Sequence, residues 1–425
     1  MALNLLLIAP TCDGQDVGEA WVAYQWVRRL AERHRVTLLT YYKRGASPTS
    51  TQLSGLRIIE WPEPPLLGRA ERLNSMLKPG YLFFYWRARK WIRQALARGE
   101  RFDLAHQPLP VAMRYPSPLV GFSIPYIVGP VGGSLDSPAA FRQQERATAW
   151  YVRLRQLDRL RLRFDPWLRM TFDRASCVIG IAPYVRDVLS ERSLHCFEIM
   201  SETGLEKLPD PIDRSTRRGP VKLLFVGRLI RTKGARDVIE AMSKLHDLEL
   251  VLDIVGDGPD RAACEQLARR LHLTDRVFFH GRKTRDAVDG FYARADIFVF
   301  PSYREPGGNV IFEAMGYGLP LIVCDRGGPG AATDDSCAIR LHAVAPEQYA
   351  HDIASAIGRL ASDRNLRLSL GEQARSRVSK IGLWDRKLDQ LDAIYNSVLR
   401  QRLRDSKIEF AHSNEDRRAW NTPNN

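Results

Sequence analysis

The residues best suited to chemistry lie in two short segments of the second half of the chain. In Phe225-Val-Gly-Arg-Leu-Ile-Arg-Thr-Lys-Gly234 an apolar run ends and the chain turns at Gly227. Two cations, Arg228 and Lys233, then precede a helical pattern. Positive groups at the end of a buried strand suit a diphosphate, whose charge they neutralise and whose departure as a leaving group they ease. The second segment is Pro301-Ser-Tyr-Arg-Glu-Pro-Gly-Gly-Asn-Val-Ile-Phe-Glu-Ala-Met315, with Glu305 in a loop and Glu313 eight positions later on a helix. Gly307 and Gly308 free the backbone before Asn309 and Val310 open that helix, where unpaired N–H groups and the helix dipole favour an anion. Glu313, one turn beyond Asn309, can bond a pair of hydroxyls such as those of a ribose. Glu305 can reach a sugar held beside the phosphates. Each segment alone also reads as an ordinary solvated turn, with Glu313 as a dipole partner and Glu305 as a surface acid.

Both segments need a scaffold that brings them together, and the hydrophobic pattern supplies one. Apolar runs at Val221–Val226, Leu248–Val255, Val277–Phe279, Asp296–Phe300 and Leu321–Cys324 predict strands. Helical patterns at Asp237–Leu245, Asp260–Leu271 and Asn309–Tyr317 alternate with them. Such alternation predicts a parallel sheet whose strand carboxyl ends line a ligand crevice. The first half repeats the scheme. An apolar run from Leu3 to Ala9 leads into a loop ending at Gly18, then a helix with Ala20, Ala23, Trp26, Val27 and Leu30 on one face. Strands are predicted at Arg35–Thr40, Phe102–His106 and Tyr126–Val128, the last followed by Gly129-Pro-Val-Gly-Gly133. Two doubly wound α/β domains follow, 1–208 and 212–383, with Pro209-Asp-Pro211 as the hinge. A closing helix over 384–404 and a flexible polar tail over 405–425 complete the expectation.

Arg228, Lys233, Glu305 and Glu313, in that order on successive crevice loops, resemble the retaining nucleotide-sugar glycosyltransferases of family 4. The resemblance is strongest from Val221 to Gly330 and includes Val255-Gly-Asp-Gly-Pro259, the Phe279-His-Gly281 turn and the E-x7-E spacing of the two glutamates. It implies the GT-B fold, two Rossmann-like domains facing across a cleft. It also implies transfer of a sugar from a nucleoside-diphosphate sugar to an acceptor hydroxyl with retention of configuration. By the same resemblance Arg228 and Lys233 hold the donor diphosphate, Glu313 the ribose and Glu305 the donor sugar. His106, before Gln107-Pro108, resembles the family's His-x-Pro position beside the donor sugar. The family's first glycine loop carries adjacent glycines, whereas here Gly18 stands without one and is followed by Glu19. Gly132 and Gly133 are acceptor-side candidates, placed where a sugar can approach the backbone closely. No D-x-D occurs, so no metal and no other cofactor is expected. A catalytically silent glycosyltransferase-like subunit scaffolding a membrane assembly is the alternative.

Charge points to a further partner. The chain has 425 residues and a formal net charge of +14, and Leu66–Arg174 alone holds 19 Lys/Arg against 8 Asp/Glu. Within it, Tyr81-Leu-Phe-Phe-Tyr-Trp-Arg-Ala-Arg-Lys-Trp-Ile-Arg93 packs six aromatics beside four bases, and Trp150, Leu154, Leu157, Leu160 and Phe164 share a helical face. Such segments suit an anionic membrane surface, and equally suit amphipathic helices packed on a sheet. A lipid-linked glycan acceptor, as in surface polysaccharide assembly, would explain both the site and the charge. Nucleic acid is not expected as a partner, because no recognition motif accompanies the basic composition. The apolar start runs into Pro10 without a basic segment before it, and the six cysteines are scattered. The expectation is a cytoplasmic protein with reduced thiols, peripheral on the inner face of the membrane.

Overall fold

The computed structural model describes residues 2–16, 18–64, 80–145 and 157–420. Two parallel sheets organise them. The first has seven strands, β1 Asn4–Thr11, β2 Arg35–Tyr42, β3 Arg57–Pro62, β4 Leu104–Gln107, β5 Tyr126–Val131, β6 Cys177–Gly180 and β7 Phe197–Ile199, in the order β3-β2-β1-β4-β5-β6-β7. The second has six, β8 Val221–Val226, β9 Leu250–Val255, β10 Val277–Gly281, β11 Ile297–Phe300, β12 Leu321–Cys324 and β13 Ala338–Leu341, in the order β10-β9-β8-β11-β12-β13. Leu5, Leu6, Leu7 and Ile8 are all fully buried because helices cover both faces of the sheet, which is why β1 reads as a continuous apolar run. The expected α/β class and GT-B architecture are what the chain adopts.

Strand order decides where a ligand can sit. In each sheet the winding reverses beside the first strand, between β1 and β4 and between β8 and β11. At such a switch point the loops leave in opposite directions and open a crevice at the strand carboxyl ends. The loop from Gly227 to Gly234 follows β8, and the loop from Pro301 to Gly308 follows β11. The two sequence motifs therefore flank one crevice.

The chain crosses between the sheets twice, side by side. Leu205 N–H donates to the Gly382 carbonyl at 2.8 Å and Trp384 N–H to the Leu205 carbonyl at 3.1 Å. The helix that follows, Trp384–Trp420, returns to the first domain and buries Trp384, Leu388, Leu391, Ile394, Tyr395 and Val398 in its core. Trp384 meets Trp26 edge to face at 4.9 Å, a pairing worth about 1 kcal/mol beyond its burial.

Several elements differ from the sequence expectation. The closing helix does not stop near Arg404 but continues through the polar tail to Trp420, since no Gly or Pro interrupts it before Pro423. The short strands β3, β6, β7 and β13 escaped the pattern, as three- to six-residue runs carry little periodicity. Cys177 and Cys196 are paired as a disulfide rather than being free thiols. The β6–β7 register, Val178 opposite Phe197, sets the two Cα atoms 4.4 Å apart. Of the predicted amphipathic face, Trp150 and Leu154 lie outside the described residues.

Candidate active site

The β8 and β11 loops are joined backbone to backbone. Gly234 takes φ 84°, and a Cβ there would sit 2.7 Å from the Pro301 carbonyl oxygen. Only glycine combines that left-handed conformation with so close an approach. Ser302 Oγ donates to the Thr232 carbonyl at 3.0 Å. Arg231 holds Asp237 with two bonds of 2.6 and 2.9 Å, which fixes the turn carrying Lys233. Lys233 Nζ is then ion-paired with Glu305, and both side chains are mostly buried. Burial, and after it the charge of Arg228, pull the Lys233 amine down to about 8. Direct contact with Glu305 works the other way and favours the charged amine. Arg228 is exposed and makes no side-chain bond among the described residues, so its charge is open to the crevice.

Glu305 is held from behind. Its carbonyl accepts the Gly328 N–H at 2.9 Å, and a Cβ on Gly328 would overlap the Gly307 carbonyl oxygen. Gly308, at φ 96°, ends the loop and caps the helix Asn309–Gly316. The N–H groups of Asn309 and Val310 belong to the first turn and have no partner within the helix, which suits them to an anion. The Asn309 side chain is tied to Thr203. One turn on, Glu313 Oε2 accepts the Tyr292 hydroxyl at 2.9 Å. Tyr292 stacks on Tyr317 at 5.4 Å. Burial raises the Glu313 carboxyl above its ordinary value, opposed by the Tyr292 bond and the charge of Arg285. Gly227 closes the back of the site: it lies under Phe300, where a Cβ would meet Cε2 at 3.1 Å. Lys233 and Glu305 are thus in contact, Arg228 is near enough to act on the Lys233 charge, and Glu313 stands one turn into the helix that follows the Glu305 loop. Two cations and a helix start can oppose anionic charge there while two carboxylates bond hydroxyls.

The first domain supplies the facing wall. Arg326 Nη2 donates to the Asp136 carbonyl at 2.8 Å, which brings the segment after Gly132 and Gly133 against the Glu305 loop. Gly133 has φ 95° and donates its N–H to Tyr184 Oη at 3.1 Å. Gly132 is explained by packing, since a Cβ would overlap Ile181. Gly18, at φ 68°, starts the helix Glu19–Arg33 with open space around it.

His106 is corrected by the structure. It is fully buried at the end of β4, with Nε2 2.6 Å from the Gly129 carbonyl and Nδ1 2.6 Å from the Tyr395 hydroxyl. Burial lowers its pKa to about 4, so the ring is neutral, donating from Nε2 and accepting at Nδ1. Neither nitrogen is left for a substrate; His106 instead anchors the closing helix. Conversely, Glu202 was missed. It lies in the crossing segment, its Oε1 3.1 Å from where a Gly307 Cβ would stand. Burial, then the charge of Glu19, push its carboxyl up to about 7. No local motif marks it, because its neighbours Glu19, Gly307 and Lys387 come from distant parts of the chain.

Comparison with known proteins agrees with this geometry. Residues 211–377 match the family described as glycosyl transferases group 1. The lipopolysaccharide core biosynthesis glycosyltransferase LpsD of Rhizobium meliloti (strain 1021) is 34% identical over 222 residues, 50% of this chain and 61% of that protein. The chain thus aligns with less than two thirds of the length of such relatives. Among solved structures, sucrose-phosphate synthase from Thermosynechococcus elongatus superposes with a TM-score of 0.62 at 20% identity, covering 96% of this chain and 99% of its own. Anabaena HepE in complex with UDP gives 0.59 at 17% identity, covering 95% and 100%. These structures share the fold over nearly the whole chain, whereas the family match covers residues 211–377, the second domain. Over residues 211–377 the chain is similar to glycosyl transferases group 1, and the solved structures extend that likeness to the fold of the whole chain.

Proposed function

We propose that the chain is a retaining hexosyltransferase that moves a sugar from a nucleoside-diphosphate sugar to a hydroxyl of a glycan in surface polysaccharide or lipopolysaccharide assembly. The observation that supports it is the succession of Arg228, Lys233, Glu305 and Glu313 on the segments that follow β8 and β11 at the switch point. As the sugar–phosphate bond breaks, negative charge builds on the departing diphosphate. Arg228, Lys233 and the N–H groups opening the helix Asn309–Gly316 stabilise that charge. Glu313 bonds the ribose hydroxyls, and Glu305, steadied by Lys233, bonds the donor sugar. In this reading no metal is needed, and chelator leaves transfer unchanged. That LpsD is a lipopolysaccharide core glycosyltransferase and that HepE was crystallised with UDP favour the substrate class.

The acceptor is proposed to be lipid-linked and met at an anionic membrane surface. No helix among the described residues is long and apolar enough to cross a membrane. The helix Gly80–Ala97 buries Phe84, Tyr85 and Ile92 but leaves Leu82, Phe83 and Trp86 more than half exposed. Leu160, Phe164 and Trp167 are exposed on the helices Leu157–Phe164 and Pro166–Asp173, and Trp167 stacks on Tyr85 at 5.7 Å. Bases including Arg87, Lys90, Arg161 and Arg163 are exposed on the same helices. Apolar side chains ringed by bases match a headgroup boundary.

The test is thermal shift of the purified protein against UDP, GDP and ADP with EDTA present. At 100 times Kd, one nucleotide should stabilise the fold by about 2.7 kcal/mol. No shift with any of them, with or without magnesium, would favour a catalytically silent subunit instead.

A further inference from the structure

A second cavity lies at the other end of the β8–β13 sheet. Its volume is about 500 Å³, and its walls carry eight Lys and Arg side chains against two acids, Asp296 and Glu372. Val221, which begins β8, and Asp296 and Pro320, which precede β11 and β12, frame it. The donor crevice is at the carboxyl ends of the same strands. With six residues in β8 at ~3.3 Å each, the two sites are separated by about 20 Å.

Part of this positive charge is structural. Arg214 donates to the carbonyls of Ala295, Tyr317 and Tyr292 at 2.9, 2.8 and 3.1 Å. Arg217 donates to the carbonyls of Ala293 and Ala295 and to Asp296. Arg367 donates to the carbonyls of Leu360 and Ala361. These arginines cap helix carboxyl ends, each of which offsets about half a unit of charge. Arg364 Nη2 likewise donates to the carbonyls of Arg214 and Arg217, Arg375 to those of Gly316 and Pro209, and Arg294 to that of Gly290, which leaves two cations unaccounted for. Arg218 and Lys222 are exposed and make no side-chain bond among the described residues. Arg364 Nε is buried without an acceptor. Arg214 is pushed down to about 10 by burial and then by the charge of Arg217, as expected where cations outnumber anions.

We propose that this cavity binds a phosphate-bearing small molecule, with Arg218, Lys222 and the buried Nε of Arg364 supplying the free donors and Arg214 and Arg217 a fixed field. Guanidinium forks match phosphate oxygens in pairs, and a cavity of this size takes a metabolite rather than a lone ion. The site is independent of the donor crevice and does not rest on the transferase reading.

Inorganic pyrophosphate is the probe, titrated calorimetrically into the full chain carrying Arg228→Ala and Lys233→Ala, which disables anion binding in the donor crevice. One pyrophosphate per chain is expected, with affinity falling as salt rises. Adding Arg218→Glu and Lys222→Glu, both at exposed positions, should weaken it at least tenfold while the melting temperature stays unchanged. Absence of binding in the crevice variant would overturn the proposal. So would binding that survives the two charge reversals, since the anion would then sit elsewhere. Wild-type nucleotide binding, measured separately, tests the transferase reading alone.

Discussion

Lys233 and Glu305 form a direct ion pair across the β8 and β11 loops although 72 residues separate them in the chain. Neither side chain is well exposed, so each is the other's main source of compensation. The pair holds the cation proposed to meet the diphosphate and the carboxylate proposed to meet the donor sugar in fixed relation.

Removing one partner should therefore do two things. Lys233→Ala is expected to weaken diphosphate binding and to lower kcat/KM by 100-fold or more, the scale for losing one group that meets developing charge. It should also destabilise the fold by about 3 kcal/mol by leaving Glu305 unpaired. In a cycle of Lys233→Ala, Glu305→Ala and the double variant, denaturation should show a coupling energy above about 1 kcal/mol. Additive effects would mean that the ion pair carries no weight.

Glu313 tests ribose recognition separately from chemistry. Its carboxylate accepts from Tyr292 and sits in a desolvated place. Glu313→Ala should chiefly raise the donor KM, by roughly tenfold for a lost charged hydrogen bond, with kcat little changed. Tyr292→Phe should do the same more weakly, because it frees the carboxylate without removing it. A kcat loss at unchanged KM would reassign Glu313 to the reacting centre.

Gly328 tests the support behind Glu305. Any Cβ at this position overlaps the Gly307 carbonyl, and both atoms belong to backbone that cannot step aside. Gly328→Ala is expected to shift the Glu305 loop and cut kcat/KM at least tenfold, with the nucleotide's thermal shift also reduced. The neighbouring Gly330→Ala meets Asp325 at 2.9 Å and does not touch that loop, so it serves as the control. Wild-type kinetics for Gly328→Ala would show that the loop is freer than its packing implies.

What the sequence made legible was local. Arg228, Lys233, Glu305 and Glu313 each follow a recognisable strand or open a recognisable helix, and alternation of strands and helices sends both loops to the same sheet edge. What stayed hidden depends on contacts between distant segments. His106 ends a strand, as the motif requires, but nothing near it announces that Tyr395, 289 residues away, closes over it. Glu202 sits in a segment without pattern, and its neighbours come from the first helix, the Gly307 loop and the closing helix. Cys177 and Cys196 become adjacent only through the register of two strands too short to read.

The Glu202 and Lys387 side chains give the hinge a pH signature. Burial pushes Glu202 from the ordinary 4.5 up to about 7 and Lys387 from 10.5 down to about 7. Between pH 4.5 and 7 the folded chain holds the extra proton on Glu202, so stability falls as pH rises. Between 7 and 10.5 the unfolded chain holds more protons on Lys387, so stability rises again. Chemical denaturation across this range should show a minimum near pH 7 in their contribution. Glu202→Gln should flatten the acid limb and Lys387→Met the alkaline one. Limbs unaffected by these changes would show that other groups govern the pH response.

Membrane contact turns on Phe83 and Trp86, whose rings stay more than half exposed on the helix Gly80–Ala97 although Trp86 meets Tyr85 and Trp167 edge to face. Burying two such rings at a headgroup boundary contributes on the order of 3 kcal/mol. Sedimentation with vesicles containing anionic lipid should therefore capture the wild-type protein at physiological salt. Phe83→Ser with Trp86→Ser should reduce the bound fraction at least tenfold at equal lipid, and Arg161→Ala with Arg163→Ala should weaken binding at low salt and make its dependence on salt shallower. Because all four side chains are exposed, the melting temperature and the nucleotide shift should hold, which separates surface loss from unfolding. Transfer to a soluble acceptor analogue should also be kept, whereas transfer to a lipid-linked acceptor in vesicles should fall with binding. If wild type and the aromatic double variant bind vesicles equally, these rings do not face lipid and the basic surface acts alone.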